Sequence, residues 1–348
     1  MRDESEALAE TLAAPSPPDA RADALEASLA GARLDHFVIE ERLGHGGMGE
    51  VYAATDASLD RPVAIKVLRG DVTRLPGMSE RFLREARAQA RFNHPNIVHI
   101  HYIGRRPTDD GRGSLFFAME RVDGGDLEDR LTRGEALAPE DARRAMIQVA
   151  QGLRAAHRAG VIHRDIKPSN LMLDADGVLK IADFGLAKPI AAGLDGDGPG
   201  PRAGLDRGDN ALTQEGAMVG SPYYVAPEQA VGDPIDHRAD MYSLGAAFYH
   251  LLAGRPPFEG PKPMAVVAKH LTETPEPLAK VAPQVPAPLA RVVERLLAKA
   301  PDERYADYDA LIADLEAAAP QSRAFAPFMT RAAAVLGDFL VAGVLIGA

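Results

Sequence analysis

The chain has 348 residues, and Lys+Arg 39 against Asp+Glu 50 gives a formal net charge of −11. The length allows one large two-lobed domain or two average ones, with a sizeable core, and the acidic balance argues against bulk binding to nucleic acid. With no cysteine in the chain, disulfides, thiolate nucleophiles and Cys-ligated zinc are excluded together.

Residues 1–34 lack the apolar core of a secretory signal and are rich in Ala, acidic residues and Pro, so they read as a disordered arm. From Phe37 the texture changes. Strands are predicted at 37–39, 50–54 and 62–68. Residues 79–92 contain no Gly or Pro and carry Phe82, Ala86 and Ala90 at helical spacing, which predicts a helix. Two more strands, near 97–103 and 115–121, complete a small lobe that ends before the turn residues Asp123-Gly124-Gly125-Asp126. Helices follow at 140–159, 241–253 and 289–299, the first with Ala145, Val149, Leu153 and Ala156 on one stripe. Gly, Asp and Pro dominate 191–210, which reads as a flexible inserted loop. Residues 332–348 are apolar except for Asp338. As a helix this run would cover roughly 25 Å, just short of a bilayer core of about 30 Å, and it reads as the start of a membrane segment, with a docked amphipathic or amorphous tail as the alternative.

Gly44-His45-Gly46-Gly47-Met48-Gly49-Glu50-Val51 is a G-x-G-x-x-G-x-V run. Its glycines let backbone N–H groups approach phosphate oxygens with no Cβ in the way. A dinucleotide-binding fold would need a helix directly after the glycines and an acidic residue about 20 positions further on. Here a strand follows and Val63-Ala64-Ile65-Lys66 stands downstream, so that reading fails. Lys66 sits in an apolar strand and projects alone from one face of it. A buried ammonium needs an anion, and Glu85 and a nucleotide phosphate are the two candidates. Further on, His163-Arg164-Asp165-Ile166-Lys167-Pro168-Ser169-Asn170 and Asp183-Phe184-Gly185 put two carboxylates, a carboxamide and a lysine on adjacent short loops. Phosphoryl transfer needs that set: hard oxygen ligands for Mg²⁺, a carboxylate to orient a hydroxyl, and a cation to offset charge on the moving group. The histidines His94, His99 and His101 cluster, but no Cys or well-spaced carboxylate completes a zinc site.

With these motifs in this order, the chain resembles the eukaryotic-type (Hanks-type) protein kinase superfamily, and among its members the bacterial serine/threonine kinases, over residues 37–319. The resemblance implies an α+β, two-lobed kinase fold. Its small β-rich N-lobe with one regulatory helix would span 35–122, its mainly helical C-lobe 123–319, and 320–348 would be a linker and the start of a transmembrane segment. ATP and Mg²⁺, with Mn²⁺ as a substitute, would lie in the cleft. Gly44, Gly46 and Gly49 would cover the phosphates, Val51 and Ala64 would roof the adenine, Met172 would floor it, and Leu43 would belong to the same nucleotide set. Met119 would guard the back of the pocket, with Glu120 and Val122 offering hinge backbone hydrogen bonds. Lys66 would contact the α- and β-phosphates, held by Glu85. Asp165 would accept or orient the substrate hydroxyl proton, Lys167 would meet the γ-phosphate, and Asn170 and Asp183 would ligate the metal.

The resemblance also implies structural roles. Glu228 of Ala226-Pro227-Glu228 would form a buried pair with Arg304, and Asp240 would anchor the catalytic loop. His163 would be a packed anchor rather than a base, and His45 would sit exposed at the loop tip. Lys167 two residues after Asp165 is the serine/threonine pattern, and Ser221 stands where the family usually has Thr. Arg164 directly before Asp165 marks activation by phosphorylation, with Thr213 as the acceptor. Protein substrates with Ser or Thr acceptors and a homodimer for trans-autophosphorylation are the expected partners. Arg323 and Arg331 before the terminal run would leave the kinase domain cytoplasmic, anchored to the inner membrane through its C-terminal segment. Pro327 to Arg331 with Asp338 also resembles the opening of the RDD family of membrane domains. A pseudokinase and a small-molecule kinase are the rival readings. Against the first stand Lys66, Asp165, Asn170 and Asp183, all present; against the second, the intact Ala226-Pro227-Glu228.

Overall fold

The computed structural model describes residues 29–46, 49–68, 83, 86–87, 89–90, 93–106, 114–184 and 222–319. Glu85, Thr213, Ser221, the 191–210 insert and the terminal apolar run lie outside the described residues.

The first lobe is a six-stranded antiparallel sheet formed by β1 (Arg33–Leu34), β2 (Phe37–Gly46), β3 (Gly49–Asp56), β4 (Arg61–Leu68), β5 (Ile100–Arg106) and β6 (Ser114–Glu120), in the order β1-β2-β3-β4-β6-β5. Its period-2 alternation sends side chains to two different cores. Phe37, Ile39, Tyr52, Val63, Ile65 and Val67 form one cluster. Leu68, Ile100, Leu115 and Phe117 meet Ala86 in a second, where Leu83 and Ala90 also pack. Residues 83, 86, 87, 89 and 90 are helical, within the predicted helix. Two boundaries differ from expectation. Residues 29–34, read as part of a disordered arm, are folded: Leu29 and Leu34 are buried in the first cluster and β1 pairs with β2. The strand predicted from 97 begins at Ile100, because Ile97 and Val98 leave the sheet and pair instead with Ile181 of the other lobe.

The second lobe is built on α1 (Leu127–Thr132), α2 (Pro139–Arg158), the hairpin β7 (Leu171–Leu173) and β8 (Leu179–Ile181), and α3 (Pro227–Val231). Then come α4 (His237–Ala253), α5 (Pro263–Thr272), α6 (Leu278–Val281), α7 (Ala287–Leu296) and α8 (Tyr308–Ala317). The apolar stripe of α2 buries Met146, Val149, Leu153 and Ala156 against α4, which is enclosed along nearly its whole length. Among the described residues no helix is long and apolar enough to cross a membrane.

Two contacts fix the frame around the cleft. Arg304 is 2% exposed, and its guanidinium forks onto Glu228 at 2.6 and 2.9 Å. Its remaining N–H groups donate to the carbonyls of Ala298, Arg238 and Lys299, so all five donors are used. The other contact is the meeting of α2 with the loop before β5. Asn96 donates to Gln148 of α2 and to the Leu179 carbonyl, and its own carbonyl accepts from Ile181. Gly152 lets this loop approach, because a Cβ there would stand 2.9 Å from the Asn96 oxygen and 2.9 Å from Ile181.

Replacing Arg304 by Met strands a buried carboxylate, and urea denaturation should show a loss of about 3–5 kcal/mol, partly recovered when Glu228→Leu is added. Gly152→Ala should cost about 1–3 kcal/mol in the same measurement by forcing the two segments apart.

Candidate active site

The loop that carries residues 163–170 follows α2 and is held by backbone bonds to one carboxylate. Asp240, 2% exposed on α4, accepts from the His163 N–H and the Arg164 N–H, each at 2.7 Å. That grip holds Arg164 at φ +67°, a left-handed value costly for a non-glycine residue. His163 is fully buried; its Nδ1 accepts from the Asp165 N–H at 3.2 Å, so Nε2 carries the proton and donates to the Ala182 carbonyl at 2.9 Å. Both ring nitrogens are thus committed, and His163 is the packed anchor that was expected.

Asp165, Lys167 and Asn170 converge within this loop. The Lys167 ammonium is 3.2 Å from Asp165 Oδ2, and Asn170 Nδ2 donates to the Asp165 carbonyl at 2.8 Å. Asn170 sits in the single turn Pro168–Asn170 that leads into β7, and its carbonyl accepts from the Ala182 N–H at 2.9 Å. The β7–β8 hairpin then delivers Asp183 next to this group, with a second left-handed backbone at φ +54°.

From the other lobe comes Lys66 in the middle of β4. Its neighbours Ile65 and Val67 face the sheet's apolar cluster, so the lysine turns to the cleft, where its ammonium meets Asp183 Oδ1 at 2.7 Å. Burial would raise the Asp183 carboxyl, but Lys66 overrides it through charge and hydrogen bond, helped by His163 and Lys167, and holds it below the usual carboxylate range. The donor set fits a divalent cation. Asn170 spends its amide nitrogen on Asp165 and keeps its oxygen, and Asp183 keeps a second carboxylate oxygen beyond the one that faces Lys66. No group of three acidic, His or Cys side chains that could hold a metal occurs among the described residues. One carboxylate plus one carboxamide suits a hard ion that retains water and phosphate oxygens.

The remaining expected residues lie along the N-lobe sheet, on β7 and at the connection between the lobes. Gly44 pairs with Val51 and Gly46 with Gly49 across the β2–β3 turn. Gly49 admits no side chain, since a Cβ would lie 2.1 Å from the Val67 carbonyl oxygen. Leu43 is exposed, as is His45. Val51 lies opposite Lys66, and Ala64 opposite Met119 at the cleft edge of the sheet. Met172 sits on β7, bridged to Asp126 just past the connection between lobes. Glu120 ends β6 with its N–H on the His99 carbonyl, and Val122 follows half-buried. Glu85 and Thr213 fall outside the described residues.

Sequence reasoning missed three side chains. Lys180 is largely buried, and its ammonium binds Glu120 at 2.8 Å and the Pro95 carbonyl at 3.0 Å, while Glu120 Oε2 also accepts from the His99 N–H. Gln229 bridges the Arg164 carbonyl to the Ala226 N–H. Gln89 is buried on the helix facing Lys66. A polar residue alternating with apolar ones in Leu179-Lys180-Ile181 was the available signal for the first; the others carry none.

Comparison with known proteins agrees with this geometry. A family model described as the protein kinase domain matches residues 37–314. The serine/threonine-protein kinase PknB of Mycolicibacterium smegmatis is 40% identical over 281 residues, covering 81% of this chain and 42% of that protein. PknB of Mycobacterium tuberculosis matches to the same extent, 40% over 281 residues, with the same coverage of 81% and 42%. The chain therefore spans about two fifths of the length of these curated relatives. The crystal structure of the Mycobacterium tuberculosis PknI kinase domain superposes with a TM-score of 0.64 at 28% identity, covering 84% of this chain and 100% of that one. By the extent of the family match and by its two-lobed α+β fold, this chain belongs to the protein kinase family.

Proposed function

We propose that this chain transfers the γ-phosphoryl group of ATP to serine and threonine hydroxyls of proteins. The observation that carries the reading is the meeting of Lys66 with Asp183 at 2.7 Å, beside Asp165 with Lys167 at 3.2 Å. The family's use of ATP with a divalent ion supports it further, as does the name serine/threonine-protein kinase borne by its relatives.

In this reading Gly44, Gly46 and Gly49 lie over the phosphates, and Leu43, Val51, Ala64 and Met172 enclose the adenine. Met119 closes the rear, and Glu120 and Val122 supply the hinge backbone. Lys66, steadied by Glu85, neutralises the α- and β-phosphates. Asn170 and Asp183 would hold Mg²⁺, or Mn²⁺ in its place, which supplies charge neutralisation when bound. Asp165 orients the acceptor hydroxyl and takes its proton as the new P–O bond forms, while the old bond's electrons leave with ADP. Lys167 faces the charge that builds on the transferred group.

Regulation follows from Arg164, whose position before Asp165 favours an activation segment ordered by phosphate on Thr213, added by a second copy in trans. The terminal apolar run, with Arg323 and Arg331 before it, favours an inner-membrane anchor with the kinase domain on the cytoplasmic side.

With labelled ATP and Mg²⁺, the wild type should label itself or a generic protein on Ser and Thr, and Asp165→Asn should lower kcat by about a hundredfold to ten-thousandfold. Nucleotide binding without transfer by the wild type would select the pseudokinase, and label on small molecules alone would select the other rival. Thr213→Ala should slow substrate phosphorylation several-fold and remove a phosphopeptide seen by mass spectrometry. Unchanged rates with no phosphate at Thr213 would remove it from the scheme.

A further inference from the structure

Gln89 is a polar side chain in an apolar setting. It is 4% exposed, and Val98, Ile100 and Met119 line the same small cavity with it. Its Nε2 donates to the Val98 carbonyl at 3.2 Å. Because that carbonyl can only accept, the orientation of the carboxamide is fixed and the oxygen must face the other way. Oε1 is fully buried and accepts no hydrogen bond among the described residues. An acceptor left in that condition is costly, and an apolar residue of the same length would avoid the cost. The two charged residues lining the same cavity are Lys66 and Asp183.

The cavity has about 10 Å³ of room, close to what one water requires, and its polar lining supplies the two to four partners a buried water needs. Lys66 has three N–H donors, of which Asp183 Oδ1 takes one. A water here can accept from the ammonium and donate to Gln89 Oε1 and to the Asp183 carboxylate, which gives the orphaned oxygen a donor.

We infer that Gln89 is a positioning residue for Lys66, acting through one buried water that it holds against the ammonium and Asp183. Gln89 touches neither nucleotide nor acceptor. Its carbonyl fixes the water, and the water limits the directions in which the Lys66 N–H groups can point. The ammonium is then aimed where phosphate charge develops during transfer, and an interaction specific to the transition state is felt in kcat rather than in KM. This inference rests on the kinase reading.

Two variants separate positioning from simple packing, since both lose the bond to Val98 and only one loses the acceptor. Gln89→Met should lower kcat three- to tenfold with KM for ATP within twofold of wild type, whereas Gln89→Glu should keep at least half of wild-type kcat. Equal losses in both variants, an unchanged kcat in Gln89→Met, or a rise in KM alone would overturn the inference. A crystal structure of the wild type decides the case independently of whether the variants fold: density for a water within hydrogen-bond distance of Gln89 Oε1 and Lys66 Nζ is expected, and a dry cavity overturns it. A wild type that transfers no phosphate would fail the kinase reading instead, and the density would still report on the water.

Discussion

The ion pair between Lys66 and Asp183 is the contact on which the rest of this architecture turns. Each group is contributed by a different lobe, and the buried Lys66 ammonium would be costly without its carboxylate partner. The N-lobe sheet exists, in effect, to present Lys66 on the face opposite its apolar cluster. The β7–β8 hairpin and the loop tied down by Asp240 exist to present Asp183, Asn170 and Asp165 at matching height. Asp183 stays ionised despite partial burial because three cations or potential cations face it, and a carboxylate in that form suits a divalent cation.

Positioning of the catalytic loop is achieved almost entirely with uncharged backbone donors. Asp240 takes two N–H groups, His163 takes a third and returns one to Ala182, and Gln229 closes the far side by holding the Arg164 carbonyl. Such a network leaves the charges of Asp165 and Lys167 facing each other at 3.2 Å rather than engaged in holding the backbone. It also accounts for two left-handed backbones, at Arg164 and Asp183, since strain of that kind persists only where surrounding bonds over-determine it.

Much of this was legible in the amino-acid sequence because the relevant signals are local. The glycine run followed by a strand, the lone lysine in Val63-Ala64-Ile65-Lys66-Val67, and the two acidic loops each carry their chemistry within a few residues. What escaped has its cause at long range. Lys180 matters because Glu120 and Pro95 arrive beside it from the other lobe, and Gln89 because it lines a small cavity together with Lys66 and Asp183; none of these partners is near in the chain. The early start of the first lobe at Leu29 was missed for a related reason, since only the sheet's open face makes that leucine worth burying. The late start of β5 reflects a competition that Ile181 wins over the sheet for Ile97 and Val98.

Lys180 has a mechanical consequence. Its ammonium sits where the end of β6, the loop before β5 and the hairpin carrying Asp183 all meet, and it bonds to two of the three while belonging to the third. A twist of one lobe about an axis through that nitrogen would leave both contacts at their present length, but a sliding displacement would stretch them. The ammonium therefore braces this corner of the cleft against shear: sliding one lobe over the other has to stretch its contacts to Glu120 and to Pro95 together.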